Sequence, residues 1–138
     1  IYQVGGSISI SDCVFQEASR PIYLDFMIEI DIQRVDVMNV GQFNGHILSD
    51  EVANRYITAP IQVWDSDATH ITFSECSFHG YDRLGLLYIR RAANVLLLNN
   101  TFSMNADHLY YNVSVDLIRY GVLHLRQNTN TTLIGNEF

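Results

Sequence analysis

Ile71-Thr72-Phe73-Ser74-Glu75-Cys76-Ser77-Phe78 is the stretch on which the fold turns, because four other segments can be written beneath it. They are Ile8-Ser-Ile-Ser-Asp-Cys-Val-Phe15, Val35-Asp-Val-Met-Asn-Val-Gly-Gln-Phe43, Val95-Leu-Leu-Leu-Asn-Asn-Thr-Phe102 and Thr131-Thr-Leu-Ile-Gly-Asn-Glu-Phe138. Each has an apolar residue or Thr, an apolar residue two later, a polar corner, a small residue facing in and a closing Phe. The second segment, in this alignment, holds one extra residue before its Phe. The closing Phe residues are spaced by 28, 35, 24 and 36, so the unit is constant while its connections vary.

Alternation with a period of two around a polar corner describes two short strands meeting at a bend. In the first copy Ile8, Ile10, Cys13 and Phe15 are expected to face in, and Ser9, Ser11 and Val14 out. A third alternating piece precedes most copies, as Ile22/Leu24/Phe26, Ile61/Val63, Leu87/Ile89 and Leu123/Leu125. Three short strands per turn of roughly 24 residues make a coil, and coils stack into a solenoid with parallel sheets along its sides. Like residues then lie on like. Phe15, Phe43, Phe78, Phe102 and Phe138 are expected to form one internal ladder. Cys13, Cys76, Asn100 and Asn136 are expected to form a second at the corner, where an amide can bond backbone and the neighbouring Asn. An antiparallel β-sandwich also has many short strands. Only Asn44-Gly45 reads as a hairpin turn, however, and a sandwich does not explain five copies of one segment.

The pattern resembles the right-handed parallel β-helix superfamily of pectate lyases, phage tailspikes and surface adhesins, over nearly the whole chain. Gly5-Gly6-Ser7-Ile8 followed by Cys13-Val14-Phe15 is similar to repeats of surface β-helix proteins. The resemblance implies an all-β, right-handed parallel β-helix of about five coils, as a single domain over residues 1–138. A long insertion is expected near 103–121, where Val113/Val115/Leu117 suggests an added strand. One or two helical turns are expected over residues 49–56, capped by Ser49. Ile1 is not a start and Phe138 closes a repeat without a cap, so a longer solenoid or an end-to-end stacking subunit is expected.

Composition narrows the function. Apolar residues at 48% and charged residues at 17% exclude a disordered chain. No apolar run approaches the roughly 18 residues of a membrane helix. The net charge of -7 argues against nucleic acid as a partner. All eight bases are Arg.

Asp65, Asp67 and His70, with His79, form the densest polar cluster, and paired carboxylates suit either calcium or acid–base work on a sugar. Carboxylates at a strand end are also ordinary solubilising groups. The resemblance weighs the same way. Pectinases of this fold resemble one another in Asn-Thr-Asp, Asp-Asp, Gly-His-Gly and Arg-Ile-Lys elements, none of which is present. Arg90-Arg91 follows a strand as a lyase base would, without a matching second element. Glu29, Asp31 and Asp36 read as an acidic outer face, with a calcium site as the sharper alternative. The five His lack zinc-ligand spacing, so no metal and no cofactor is expected.

Three glycosylation sequons begin at Asn99, Asn112 and Asn130, all expected to be exposed. Cys13 and Cys76 fall at the same corner of different coils, with Val40 near that place in the coil between. Two strand spacings separate them by roughly 9–10 Å, beyond the roughly 7 Å reach of a disulfide, so two free thiols are expected. The function these features favour is a non-catalytic extracellular or cell-surface structural or adhesive module, such as a fibre or filament subunit. Its partners would be flanking coils or copies of itself. The alternative is a β-helix that binds or cleaves polysaccharide, a lyase, a hydrolase or a phage tailspike fragment, with Tyr81, Tyr88 and Tyr110 stacking on sugar rings.

Overall fold

The computed structural model describes residues 1–16, 22–40, 61–64, 70–81, 86–105 and 123–138. Twelve strands occupy most of them: β1 (Tyr2–Val4), β2 (Ser7–Gln16), β3 (Ile22–Asp25), β4 (Glu29–Val40), β5 (Ile61–Trp64), β6 (His70–Ser74), β7 (Ser77–Tyr81), β8 (Leu87–Arg90), β9 (Val95–Leu98), β10 (Thr101–Asn105), β11 (Leu123–Arg126) and β12 (Thr131–Ile134). There is no helix among the described residues, and so none long and apolar enough to cross a membrane. Every pairing among these strands is parallel. One sheet runs β1-β3-β5-β8-β11. The other runs β10-β7-β4-β6-β9-β12, with β2 also on β4.

The second sheet is divided by a line of residues in the left-handed region: Asp12, Arg34, Glu75, Asn99 and Gly135, with φ between 48° and 63°. Each interrupts the alternation, so the inward residues on its two sides are three apart instead of two. Ile32 and Val35, Phe73 and Cys76, and Leu97 and Asn100 all turn into the core this way. Gly135 has a second reason to lack a side chain: a Cβ there would collide with Oδ1 of Asn99.

Register converts the repeats into columns. Ile10 pairs with Ile32, Ile32 with Phe73, and Phe73 with Leu97. Ile22, Ile61 and Leu87 form a column in the first sheet, and Leu24, Val63 and Ile89 form its neighbour. All of these except the terminal Ile10 are essentially inaccessible, and both sheets feed one core. Burying each such side chain stabilises the fold by about 1.5–3 kcal/mol.

The aromatic column contains Phe15, Val37, Phe78 and Phe102, with Phe138 beyond. Phe78 and Phe102 stack at 4.7 Å, and Phe102 and Phe138 at 5.2 Å. The second copy of the repeat therefore differs from the sequence alignment. Its register copy is the segment Ile30-Asp31-Ile32-Gln33-Arg34-Val35-Asp36-Val37, which pairs along its length with residues 8–15. Val37 takes the place assigned to Phe43, because a buried β-branched residue fills an inward strand position as well as an aromatic does. Phe43 lies outside the described residues, as do residues 49–56 and Val113, Val115 and Leu117. Phe26 is a further correction. The alternation makes it a third inward residue after Ile22 and Leu24, but it takes a left-handed φ and is 60% exposed.

The corner column is Cys13, Val35, Cys76, Asn100 and Asn136, with Val35 rather than Val40 between the cysteines. Asn100 is fully buried. Its Oδ1 accepts from the Cys76 amide at 2.9 Å, and its Nδ2 donates to the Phe73 carbonyl at 2.9 Å. Asn136 repeats the device one copy later: its Oδ1 accepts from the Asn100 amide at 3.0 Å, and its Nδ2 donates to the Leu97 carbonyl at 2.8 Å. The two side chains also bond each other at 3.0 Å. Cys76 occupies the equivalent place below them, its thiol 3.5 Å from the Ile32 carbonyl. Asn128 repeats the arrangement at a different corner, accepting from the Ala92 amide at 2.8 Å and donating to the Ile89 carbonyl at 3.0 Å.

The packing sets the response to two perturbations. Phe78→Ala removes a ring enclosed by Phe73 and Phe102 and should lower unfolding free energy by about 3–5 kcal/mol, measured by denaturant titration. Both cysteines are thiols, Cys13 half-buried and Cys76 buried, with burial pushing the Cys76 thiol pKa up. A thiol reagent should therefore modify Cys13 first in the native protein and reach Cys76 only on unfolding, two groups in all.

Candidate functional site

The outward side of the first sheet is the densest arrangement of chemically capable side chains among the described residues. Ile61-Gln62-Val63-Trp64, Leu87-Tyr88-Ile89-Arg90 and Leu123-His124-Leu125-Arg126 each alternate an apolar inward residue with an outward one. Parallel register then lines up Tyr2, Tyr23, Gln62, Tyr88 and His124 in one outward column. The neighbouring column holds Val4, Asp25, Trp64, Arg90 and Arg126, with Arg90 directly opposite Arg126.

These side chains are tied together. The Trp64 indole N–H donates to Gln62 Oε1 at 2.9 Å. The Arg90 guanidinium lies 5.2 Å from the Trp64 ring centre, within cation–π range. Trp64 and Tyr88 are 5.1 Å apart, Tyr88 meets His124 edge-on at 5.0 Å, and Tyr2 stacks on Tyr23 at 5.3 Å. Gln62 and Tyr88 point away from the main core yet expose only 1% and 0% of their surface. This face is therefore a second packed layer, and Tyr88 has no ring surface for a sugar to stack on, contrary to the expectation from sequence.

Electrostatics on this face act mainly on His124. Burial, and next the nearby charge of Arg126, hold its pKa below the ordinary histidine value. Elsewhere the strongest pairing is on the corner line. Arg34 Nε donates to Asp12 Oδ1 at 2.6 Å and Arg34 Nη2 to Asp12 Oδ2 at 2.8 Å. The Arg34 hydrogen bond holds the Asp12 carboxyl below its usual range, and Asp12 raises Arg34 in turn.

The remaining candidates are dispersed. Asp65 and Asp67 lie outside the described residues, as do Asn112, Tyr110 and the Tyr81 side chain. His70 is exposed at the start of β6, opposite Glu29. His79 lies on β7, beyond the Glu75 corner, hydrogen-bonded to the Ser103 hydroxyl. Glu29 and Asp31 are on the first half of β4 and Asp36 on the second, divided by Arg34, while Gln33 donates to both Asp31 oxygens at 3.1 Å. Among the described residues no group of three or more His, Cys, Asp or Glu side chains is placed to hold a metal ion. Asn99 and Asn130 are exposed at corners.

Sequence reasoning missed the Trp64–Arg90–His124 face and the Asp12–Arg34 pair. The first was signalled by three aligned tetrapeptides whose outward residues are aromatic, amide or cationic. The second becomes visible once Arg34 is aligned with Asp12 rather than placed before a repeat. Comparison with protein-family models, with curated sequences and with solved structures finds no match.

The His124 environment makes stability depend on pH in one direction. A folded pKa below the unfolded value, ordinarily about 6.5, means that the unfolded chain binds the proton first as pH falls. Stability is untouched above about pH 7, declines as pH drops through the unfolded pKa, and levels off below the folded one. Denaturant midpoints across this range should fall more steeply for the native sequence than for His124→Gln.

Proposed function

We propose that the chain is a right-handed parallel β-helix of about five coils, serving as a non-catalytic structural or adhesive module outside the cell or at its surface. The observation that carries this reading is the continuity of the columns. Ile8, Ile30, Ile71, Val95 and Thr131 follow one another in parallel register, and the other inward positions do the same. Each repeat gives one strand to the first sheet and one segment to each side of the left-handed line in the second, an allocation that suits the three-faced turn of a β-helix. Parallel crossovers are right-handed in nearly all proteins, which supplies the hand. A molecule of this kind has a stiff axis and repetitive faces, properties of a scaffold.

Self-association is the partner reading that exposed apolar side chains on the outermost strands support. Tyr2 and Val4 at one end are 74% and 54% exposed, and Leu133 and Phe138 at the other are 44% and 68% exposed. Leu133 and Phe138 belong to columns whose inner members, Leu97 and Phe102, are buried, and a second copy of the chain is the partner that suits such exposed apolar side chains. Extracellular placement is supported by the three sequons. A second reading, binding of polysaccharide, is favoured by one observation: the half-exposed Trp64 ring under the Arg90 guanidinium, a pairing that suits an acidic sugar.

Sedimentation velocity tests the main reading. The 138-residue chain should form species larger than a monomer, increasingly so with concentration. Leu133→Glu and Phe138→Glu, which place charge on the open edge, should shift it towards monomer. A single monomeric species at every concentration would overturn the self-associating scaffold. Retention on an acidic polysaccharide that is abolished by Trp64→Ala would favour the second reading.

A further inference from the structure

The sequon Asn99-Asn100-Thr101 spans the corner line, and the corner separates its three residues sharply. Asn99 is exposed at a φ of 53°, Asn100 is fully buried in the amide ladder, and Thr101 is exposed at the start of β10. The acceptor amide and the hydroxyl that define the motif therefore share the outer surface, while the residue between them serves the core. The Asn99 side chain makes no hydrogen bond to any described residue. Its Oδ1 lies against the bare Cα of Gly135, where no Cβ could be accommodated. In contrast, the Asn130 amide is engaged, donating to Asn94 Oδ1 at 3.2 Å.

From this geometry we infer that Asn99 carries an N-linked glycan. The inference rests on the extracellular placement proposed above. Substitution joins Nδ2 to C1 of an oligosaccharide delivered on a lipid diphosphate. The C1–O bond to the diphosphate breaks, the lipid diphosphate leaves with that electron pair, and Nδ2 loses one proton. The folded chain accepts the product without rearrangement. The neighbours of Asn99 along the ridge are Glu75 and Gly135, with Arg34 one copy further, all exposed, so a sugar there covers solvated groups.

Peptide mapping of native material by mass spectrometry, before and after an amidase that releases N-glycans and converts the acceptor Asn to Asp, tests the inference. The expected result is a glycopeptide containing Asn99 in which that one residue reads as aspartate after treatment, with or without a glycan at the other sequons. Glycan at Asn112 or Asn130 with Asn99 bare would overturn the assignment and leave the extracellular reading standing. Bare Asn at all three sequons would overturn both.

Discussion

Parallel pairing in a register that slips only between Met38 and Val40 among the described strands is the constraint from which the rest of this molecule follows. Paired strands lie about 4.8 Å apart, so a residue is seated directly on its counterpart in the next copy. Every position along the repeat thus becomes a column with one environment, and each member must satisfy it. Apolar columns satisfy it by dispersion and burial, as Ile22, Ile61 and Leu87 do. The aromatic column adds ring stacking between Phe78, Phe102 and Phe138. A polar column is harder, because an unsatisfied buried amide costs about 1–3 kcal/mol. Asn100 and Asn136 solve this by giving one oxygen and one nitrogen to fixed backbone groups of the copy before, so that the side chain completes hydrogen bonding that the bend would otherwise leave open.

The same rule explains what can be read from the sequence. Alternation on either side of a polar corner reveals strands, parallel stacking and the positions of Phe78, Phe102, Cys76 and Asn100, since these columns repeat similar residue types. The second copy misleads because Phe43 looks like the closing residue. Position Val37 asks only for a buried apolar side chain, and Val meets that as well as Phe. Phe26 misleads for the converse reason: an aromatic that continues an alternation is not thereby inward, and the turn after β3 places it in solvent.

The candidate face is least legible. Tyr88 reads as an exposed ring because it alternates with Leu87 and Ile89, and alternation does report which side of the sheet a residue occupies. It cannot report whether that side is covered. Here Gln62 and Tyr88 are closed off while Trp64, Arg90 and His124 keep part of their surface. The chemistry of that face depends on contacts between neighbouring strands, which no single tetrapeptide contains.

The ridge of left-handed residues bears on how the chain finds its alignment. An apolar column is nearly indifferent to a shift by one whole copy, since Ile on Ile and Ile on Leu differ little. The exposed ridge is not indifferent. Asp12, Arg34 and Glu75 alternate in sign, and Arg34 feels both acids. Skipping a copy would bring Asp12 onto Glu75 and strip Arg34 of its carboxylate. Such solvated charges add little to stability, yet they tell neighbouring copies apart where the interior cannot. In a repetitive molecule the surface can thus hold the information about order, while the core holds only the affinity.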